Sequence, residues 1–401
     1  MKISINANRC EPSPMRKFHP LAVEAKKQGK KNYHLNIGQP DIETTQAFYD
    51  AVKNFSDSTL AYEASPGMPL LIEAIRNYYK GLGVDLEPED ILITTGGSEA
   101  LLFTFLSILD PYTEVIIPEP YYPNYTTFVH AAGGVIRALH TGPEDGYHYA
   151  DRKRIEKLIT KNTRAIMVTN PGNPTGVTLT NEQMRMIADI AKENDLFLIS
   201  DEVYREFCYD DSYGVPTMGR FDDIKDNLVI IDSVSKRFSA CGARVGCVIT
   251  KNKELQQALL KFCQSRLSVA TIDQLAAAAL YSVDQSFFAK CKEEYRIRRD
   301  TVVSGLRKIP GVLVEEPMGA FYVMASLPVD DSDKFQQWLL NDFTDNNETI
   351  MFAPAAPFYE TPGSGRNEVR MAYVLNQADL SRAMELLGIA IARYRREIMG
   401  V

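Results

Sequence analysis

The sequence predicts an α/β fold: a large domain with a mostly parallel seven-stranded sheet between helices, joined to a smaller α+β domain. Three observations predict it. Short apolar runs alternate with longer amphipathic stretches from about residue 70 to 265, and the pattern changes near residue 285. A length of 401 residues also exceeds what one small core organises.

Residues 91–95, 114–117, 134–139, 165–169, 196–200, 228–232 and 245–250 read as strands, being short and rich in Val, Ile and Leu. Residues 98–109, 152–160, 182–193 and 253–264 read as helices between them. A parallel sheet needs such crossovers, because consecutive parallel strands cannot be joined by a tight turn. Past residue 285 a long charged helix (286–307) leads through Pro310-Gly311 to strands at 312–315 and 321–324. A helix around Trp338, a strand at 369–374 and a terminal helix from Asp379 complete the smaller unit. No repeat, low-complexity segment or flexible linker interrupts the chain, so the two domains are expected to pack closely.

Composition narrows the function. Hydrophobic residues at 45% and charged residues at 24% match an ordinary globular protein, and a net charge of -8 argues against a nucleic-acid partner. Six cysteines at irregular spacings, with no Cys-x-x-Cys, read as free thiols in a reducing compartment. Five histidines without HExxH or paired spacing predict no metal site. The N-terminus lacks the apolar core of a signal peptide, and no run approaches the roughly 18 apolar residues of a membrane span. A cytoplasmic protein with no membrane partner is expected.

The segment Ser233-Val234-Ser235-Lys236, followed by Gly242-Ala243-Arg244-Val245-Gly246, carries the most chemistry. It closes a predicted strand, where α/β sheets place their ligand crevices. Lys236 can attack an aldehyde to form a Schiff base, while Ser233 and Arg244 offer a hydroxyl and a guanidinium to a phosphate. A lysine after a strand is by itself usually a solvated surface residue; the Ser, Gly and Arg around it reverse that reading.

Asp201-Glu202-Val203-Tyr204 closes another strand. Asp201 can hold a pyridinium nitrogen protonated and make its ring an electron sink, and Tyr204 can donate to a phenolic oxygen on that ring. An acidic helix start is the plainer alternative. Asn170-Pro171-Gly172-Asn173-Pro174-Thr175-Gly176 is a stiff turn that either fixes the Asn173 amide for the same oxygen or simply connects strand to helix. In Thr95-Gly96-Gly97-Ser98, Gly97 and Ser98 open a helix whose free N–H groups attract a phosphate. Neither a GxGxxG fingerprint nor a Walker loop is present there. Tyr122, in Pro120-Tyr121-Tyr122-Pro123, offers a face to a flat heterocycle or packs in the core. Arg370, in an alternating strand pattern, can pair two-pronged with a carboxylate or stand exposed on its strand.

In this order the segments resemble the aspartate aminotransferase family, the fold-type I, class I and II aminotransferases. The match runs from Asn36-Ile37-Gly38-Gln39-Pro40-Asp41 to residues 369–373. The resemblance implies pyridoxal 5'-phosphate as cofactor, with Lys236 as Schiff-base lysine and then as the acid/base between Cα and C4'. It implies Asp201 at the pyridine nitrogen, Asn173 and Tyr204 at the ring oxygen, and Tyr122 stacked on the ring. Gly97, Ser98, Ser233 and Arg244 would hold the phosphate, and Arg370 with the backbone of Gly38 the substrate's α-carboxylate.

Tyr62 matches the family tyrosine that reaches the neighbouring subunit's phosphate, so a homodimer with shared sites is implied. The family layout implies a large cofactor-binding domain at 48–284 and a small domain from 1–47 and 285–401. Arg266, thirty residues past Lys236, is the candidate for a distal carboxylate, with aspartate and 2-oxoglutarate as the expected substrates. The loop after it departs from the family pattern, having Val269-Ala270-Thr271-Ile272 where small residues and prolines often stand. A structural role for Arg266 therefore stays open.

Other readings are alanine- or aromatic-specific transamination, or a C–S lyase using the same Lys236, Asp201 and Arg370. A non-catalytic regulator on this scaffold would need a DNA-binding domain, yet only about forty residues precede the large-domain elements. A nicotinamide dehydrogenase lacks its phosphate fingerprint here.

Overall fold

The computed structural model describes Met1–Val401. Strand β1 (Lys31–His34) comes first. The large domain then runs through β2 (Ile91–Thr94), β3 (Glu114–Glu119), β4 (Val135–His140) and β5 (Thr163–Thr169). It continues with β6 (Phe197–Asp201), β7 (Leu228–Ser233) and β8 (Gly246–Ile249). These last seven form one sheet in the order β2-β8-β7-β6-β5-β3-β4. Only β8 runs against the rest, pairing antiparallel with both β2 and β7.

Alternation along the strands builds both faces of this sheet. Ile91, Ile93, Ile116, Ile166, Leu198 and Ile230 face one core, packed by the helices Pro69–Gly81 and Asn181–Glu193. Leu92, Val115, Met167, Ile199, Val229 and Ile231 face the other, packed by Gly96–Ile108 and Lys253–Arg266. Successive side chains point to opposite faces, so a strand apolar at every position must be covered on both sides. Each such side chain removed from water contributes about 2 kcal/mol.

The helix Asn181–Glu193 starts at a capping box, Thr180 accepting from the Gln183 N–H. The helix expected over 152–160 stops at Glu156. A local turn replaces its last part, with the Thr160 N–H bonded to Thr163 Oγ1 at 2.9 Å. Threonine hydroxyls compete in this way with helical hydrogen bonding.

The smaller unit adds β9 (Leu313–Val314), β10 (Tyr322–Ser326), β11 (Glu348–Met351), β12 (Ala353–Pro354) and β13 (Glu368–Ala372). Its four-stranded sheet has the order β12-β13-β10-β9. The helices Gln285–Arg307 and Gln377–Tyr394 pack together over it through Val302, Leu306, Leu380, Ala383 and Leu387. Strand β1 pairs in parallel with β11, Lys31 opposite Glu348, so the start of the chain joins its last third. No helix is long and apolar enough to cross a membrane.

Candidate active site

The carboxyl ends of β2, β3, β5, β6 and β7 share one edge of the large sheet, and the residues following them surround one cavity. Its volume is ≈ 650 Å³, enough for a cofactor and a small substrate. Lys236, Asp201, Tyr204, Asn173, Tyr122, Ser233, Arg244, Arg370, Gly38, Gly97 and Ser98 all line it.

Asp201 ends β6 at the floor of the cavity and is 6% exposed. Its Oδ2 accepts a 2.6 Å hydrogen bond from the Tyr125 hydroxyl, which also lies 2.9 Å from Thr169 Oγ1. Burial pushes the Asp201 carboxyl up to about 6, while the Tyr125 hydrogen bond pulls the other way. A buried carboxylate with no cation beside it suits a positively charged ligand atom.

One strand over, Ser233 ends β7 and caps the short helix Val234–Arg237, its Oγ accepting from the Ser235 N–H at 3.0 Å. That turn aims half-buried Lys236 into the cavity, where Nζ donates to the Gly38 carbonyl at 2.9 Å. Beneath the turn, Asp232 holds the buried guanidinium groups of Arg205 (3.2 Å) and Arg237. Burial opposes its charge, but these arginines keep Asp232 below the usual carboxylate range.

At the opposite end, the helix Gly96–Ile108 begins with no side-chain cap on its N–H groups. Arg244, in the left-handed region at φ 52, leans over Gly96 and anchors to the Cys241 carbonyl at 3.0 Å. Such backbone strain in a non-glycine residue is characteristic of ligand sites. Gly246 lets β8 approach this helix start: a Cβ there would meet Gly96 C at 2.6 Å and Gly97 N at 2.7 Å.

Arg370 reaches in from β13, 2% exposed. It donates to Asn173 Oδ1 at 3.0 Å and to the Asn36 carbonyl at 2.6 Å, and sits 4.5 Å over the Tyr322 ring. Its Nε has no partner although buried. Burial lowers its pKa from the ordinary value. The loop carrying Asn173 is clamped to the smaller unit, since the Gly176 carbonyl accepts from Met318 and Gly319. Tyr204 meets the Tyr322 hydroxyl at 2.9 Å, and burial drives its own pKa well upward. Tyr122 accepts from the Asn124 amide at 2.8 Å.

Two candidates stand apart. Arg266 bonds the Ile93 carbonyl at 2.9 Å and lies 3.4 Å from Glu99, outside the cavity of its own chain. The helix Lys253–Arg266 ends at this residue and turns it back onto β2. Tyr62 is 82% exposed and also outside its own chain's cavity.

Tyr125, Tyr322 and Arg16 line the cavity without having stood out in the sequence. The two tyrosines sit in patterns indistinguishable from core aromatics. Arg16 lies in a segment with no catalytic motif.

Fold and cavity together bring an amine (Lys236), a buried acid (Asp201) and two arginines (Arg244 and Arg370) into a single cleft. The family model described as aminotransferase class I and II matches residues 30–387, and the chain belongs to that family. An aspartate aminotransferase of Pyrococcus horikoshii is 32% identical over 363 residues, 89% of this chain and 90% of that protein. A Thermus thermophilus aspartate aminotransferase solved with maleate superposes with a TM-score of 0.88 at 28% identity, covering 97% of this chain and 100% of that one. An alanine aminotransferase from Pyrococcus furiosus gives a TM-score of 0.89 at 29% identity, covering 98% and 100%.

Proposed function

We propose that this aminotransferase uses pyridoxal 5'-phosphate, held through Lys236, to move the amino group of an L-amino acid to a 2-oxo acid in a ping-pong cycle. Aspartate and 2-oxoglutarate are the substrates we assign. One observation carries the reading: Lys236 Nζ and the buried Asp201 carboxylate line one cavity from the ends of adjacent parallel strands.

The residues fit the cofactor. The uncapped start of Gly96–Ile108, the hydroxyl of Ser233 and the Arg244 guanidinium form an anion cradle that the close approach at Gly246 shapes. Asp201, unpaired by any cation in the protein, would face the ring nitrogen. Asn173 and Tyr204 would take the ring oxygen, and Tyr122 the ring face. Once bound, the cofactor supplies an aldehyde for amines and a ring that delocalises the electron pair left at the substrate's Cα.

Lys236 Nζ is the group positioned to take the proton from Cα and pass it on. Arg370, with the backbone of Gly38, orients the α-carboxylate; the unpartnered Arg370 Nε is a donor ready for it. Tyr322 packs under Arg370 and sets its plane.

We also propose the division into residues 48–284 and 1–47 with 285–401, which the β1–β11 pairing supports. Exposed Tyr62, Leu60 and Leu70 support a two-fold dimer in which Tyr62 serves the neighbouring site.

The test is a half-reaction. Cofactor-loaded protein is mixed with aspartate, glutamate or alanine, the cofactor absorbance is followed, and 2-oxoglutarate is then added. Conversion by an amino acid and restoration by the oxo acid is expected. Release of pyruvate and ammonia from cysteine conjugates without any oxo acid would overturn transamination in favour of a lyase.

A further inference from the structure

The charged side chains lining the cavity are Arg16, Asp201, Lys236, Arg244 and Arg370. The reading above uses four of them: Asp201 for the ring, Lys236 for the amine, Arg244 for the phosphate and Arg370 for the α-carboxylate. Arg16 is left over. It lies in the 3-10 turn Pro14–Arg16, is exposed to solvent where it lines the cavity, and makes no ion pair and no side-chain hydrogen bond.

Its neighbours hold it in place. Met15 Sδ lies 3.1 Å from Arg370 Nη2, and the Met15 carbonyl accepts from the Asn36 amide at 3.3 Å. On the other side, Lys17 pairs with Asp333 at 2.5 Å, and Phe18 is buried with Ala22, Leu340 and Met351. The N-terminal segment is thus pinned on both flanks of Arg16, next to the residue that contacts Arg370. A free guanidinium so placed suits an anion, and the cavity's one carboxylate is already assigned to its floor.

We propose that Arg16 is a specificity residue for a second carboxylate on the substrate, so that this chain selects dicarboxylic amino acids with a cation from its own N-terminal segment. This rests on the transaminase reading. Arg370 takes the α-carboxylate and Arg16 the distal one, which monocarboxylic substrates such as alanine lack.

The experiment compares Arg16→Ala and Arg16→Lys with the wild-type holoenzyme. The kcat/KM ratio of aspartate to alanine is measured, and so is the affinity for succinate, an unreactive dicarboxylate, by titration. Loss of one charge-assisted contact predicts a ratio about 10- to 100-fold lower in Arg16→Ala, with succinate weakened to match. Arg16→Lys should recover most of both. An unchanged ratio and unchanged succinate affinity overturn the inference. If the wild type transaminates neither amino acid, the transaminase reading fails; weaker succinate binding by Arg16→Ala would then still uphold the carboxylate site.

Discussion

Tyr125 donates a 2.6 Å hydrogen bond to Asp201 Oδ2, linking the helix Asn124–Ala131 to the end of β6 at the cavity floor. The bond favours the charged carboxylate against the burial that disfavours it. Tyr125→Phe should therefore raise the Asp201 pKa further. Cofactor affinity should then fall off at a higher pH in the variant than in the wild type, as read by cofactor titration across pH. Coincident profiles would show that the bond does not hold the acid.

The same burial makes Asp201 a pH-dependent liability in the cofactor-free protein. Its folded-state pKa of about 6 lies above the unfolded value, so its contribution is complete at low pH and is lost as pH rises through 6. Asp201→Asn removes the titration. Its stability relative to wild type should therefore rise between about pH 4 and pH 7, by a difference of order 3 kcal/mol. Urea unfolding of both cofactor-free proteins at the two pH values measures it, and a constant difference would contradict the assignment.

Asp232 is the sole carboxylate bonded to Arg237, and it shares Arg205 with Glu202. All four groups are fully buried. Asp232→Ala strands a guanidinium beneath the Lys236 turn, a loss of about 3–5 kcal/mol. A large drop in the thermal midpoint is expected. A midpoint within a few degrees of wild type would place the network outside the stability of this turn.

Gly246→Ala tests the cradle. A Cβ there meets backbone atoms of Gly96, Gly97 and Asp232, none of which can swing aside. The start of Gly96–Ile108 must shift, so affinity for free pyridoxal 5'-phosphate should fall at least tenfold, by about 1.4 kcal/mol or more. Unaltered affinity in a folded variant would contradict an anion site at this helix start.

Much of this was legible in the sequence because it is local. Seven apolar runs with helices between them gave the large sheet, since a strand buried on both faces shows itself in its own residues. That Lys236, Asp201, Asn173 and Arg244 share one cavity was legible because each lies at a strand end or in a distinctive turn beside one. The β1–β11 pairing was not, because strands more than 300 residues apart leave no mark on each other's composition. Tyr125 and Tyr322 were hidden as ordinary apolar-face aromatics. The direction of Arg266 was not legible either, because spacing from Lys236 cannot show which way the end of Lys253–Arg266 faces. Arg16 depended on the path of the N-terminal segment, which the packing of Phe18 decides.

The most direct measurement is to load the protein with pyridoxal 5'-phosphate, reduce it with borohydride and map the modified peptide by mass spectrometry. The account predicts a single phosphopyridoxyl group on Lys236, absent in Lys236→Ala. Modification of a different lysine, or none at all, would contradict it.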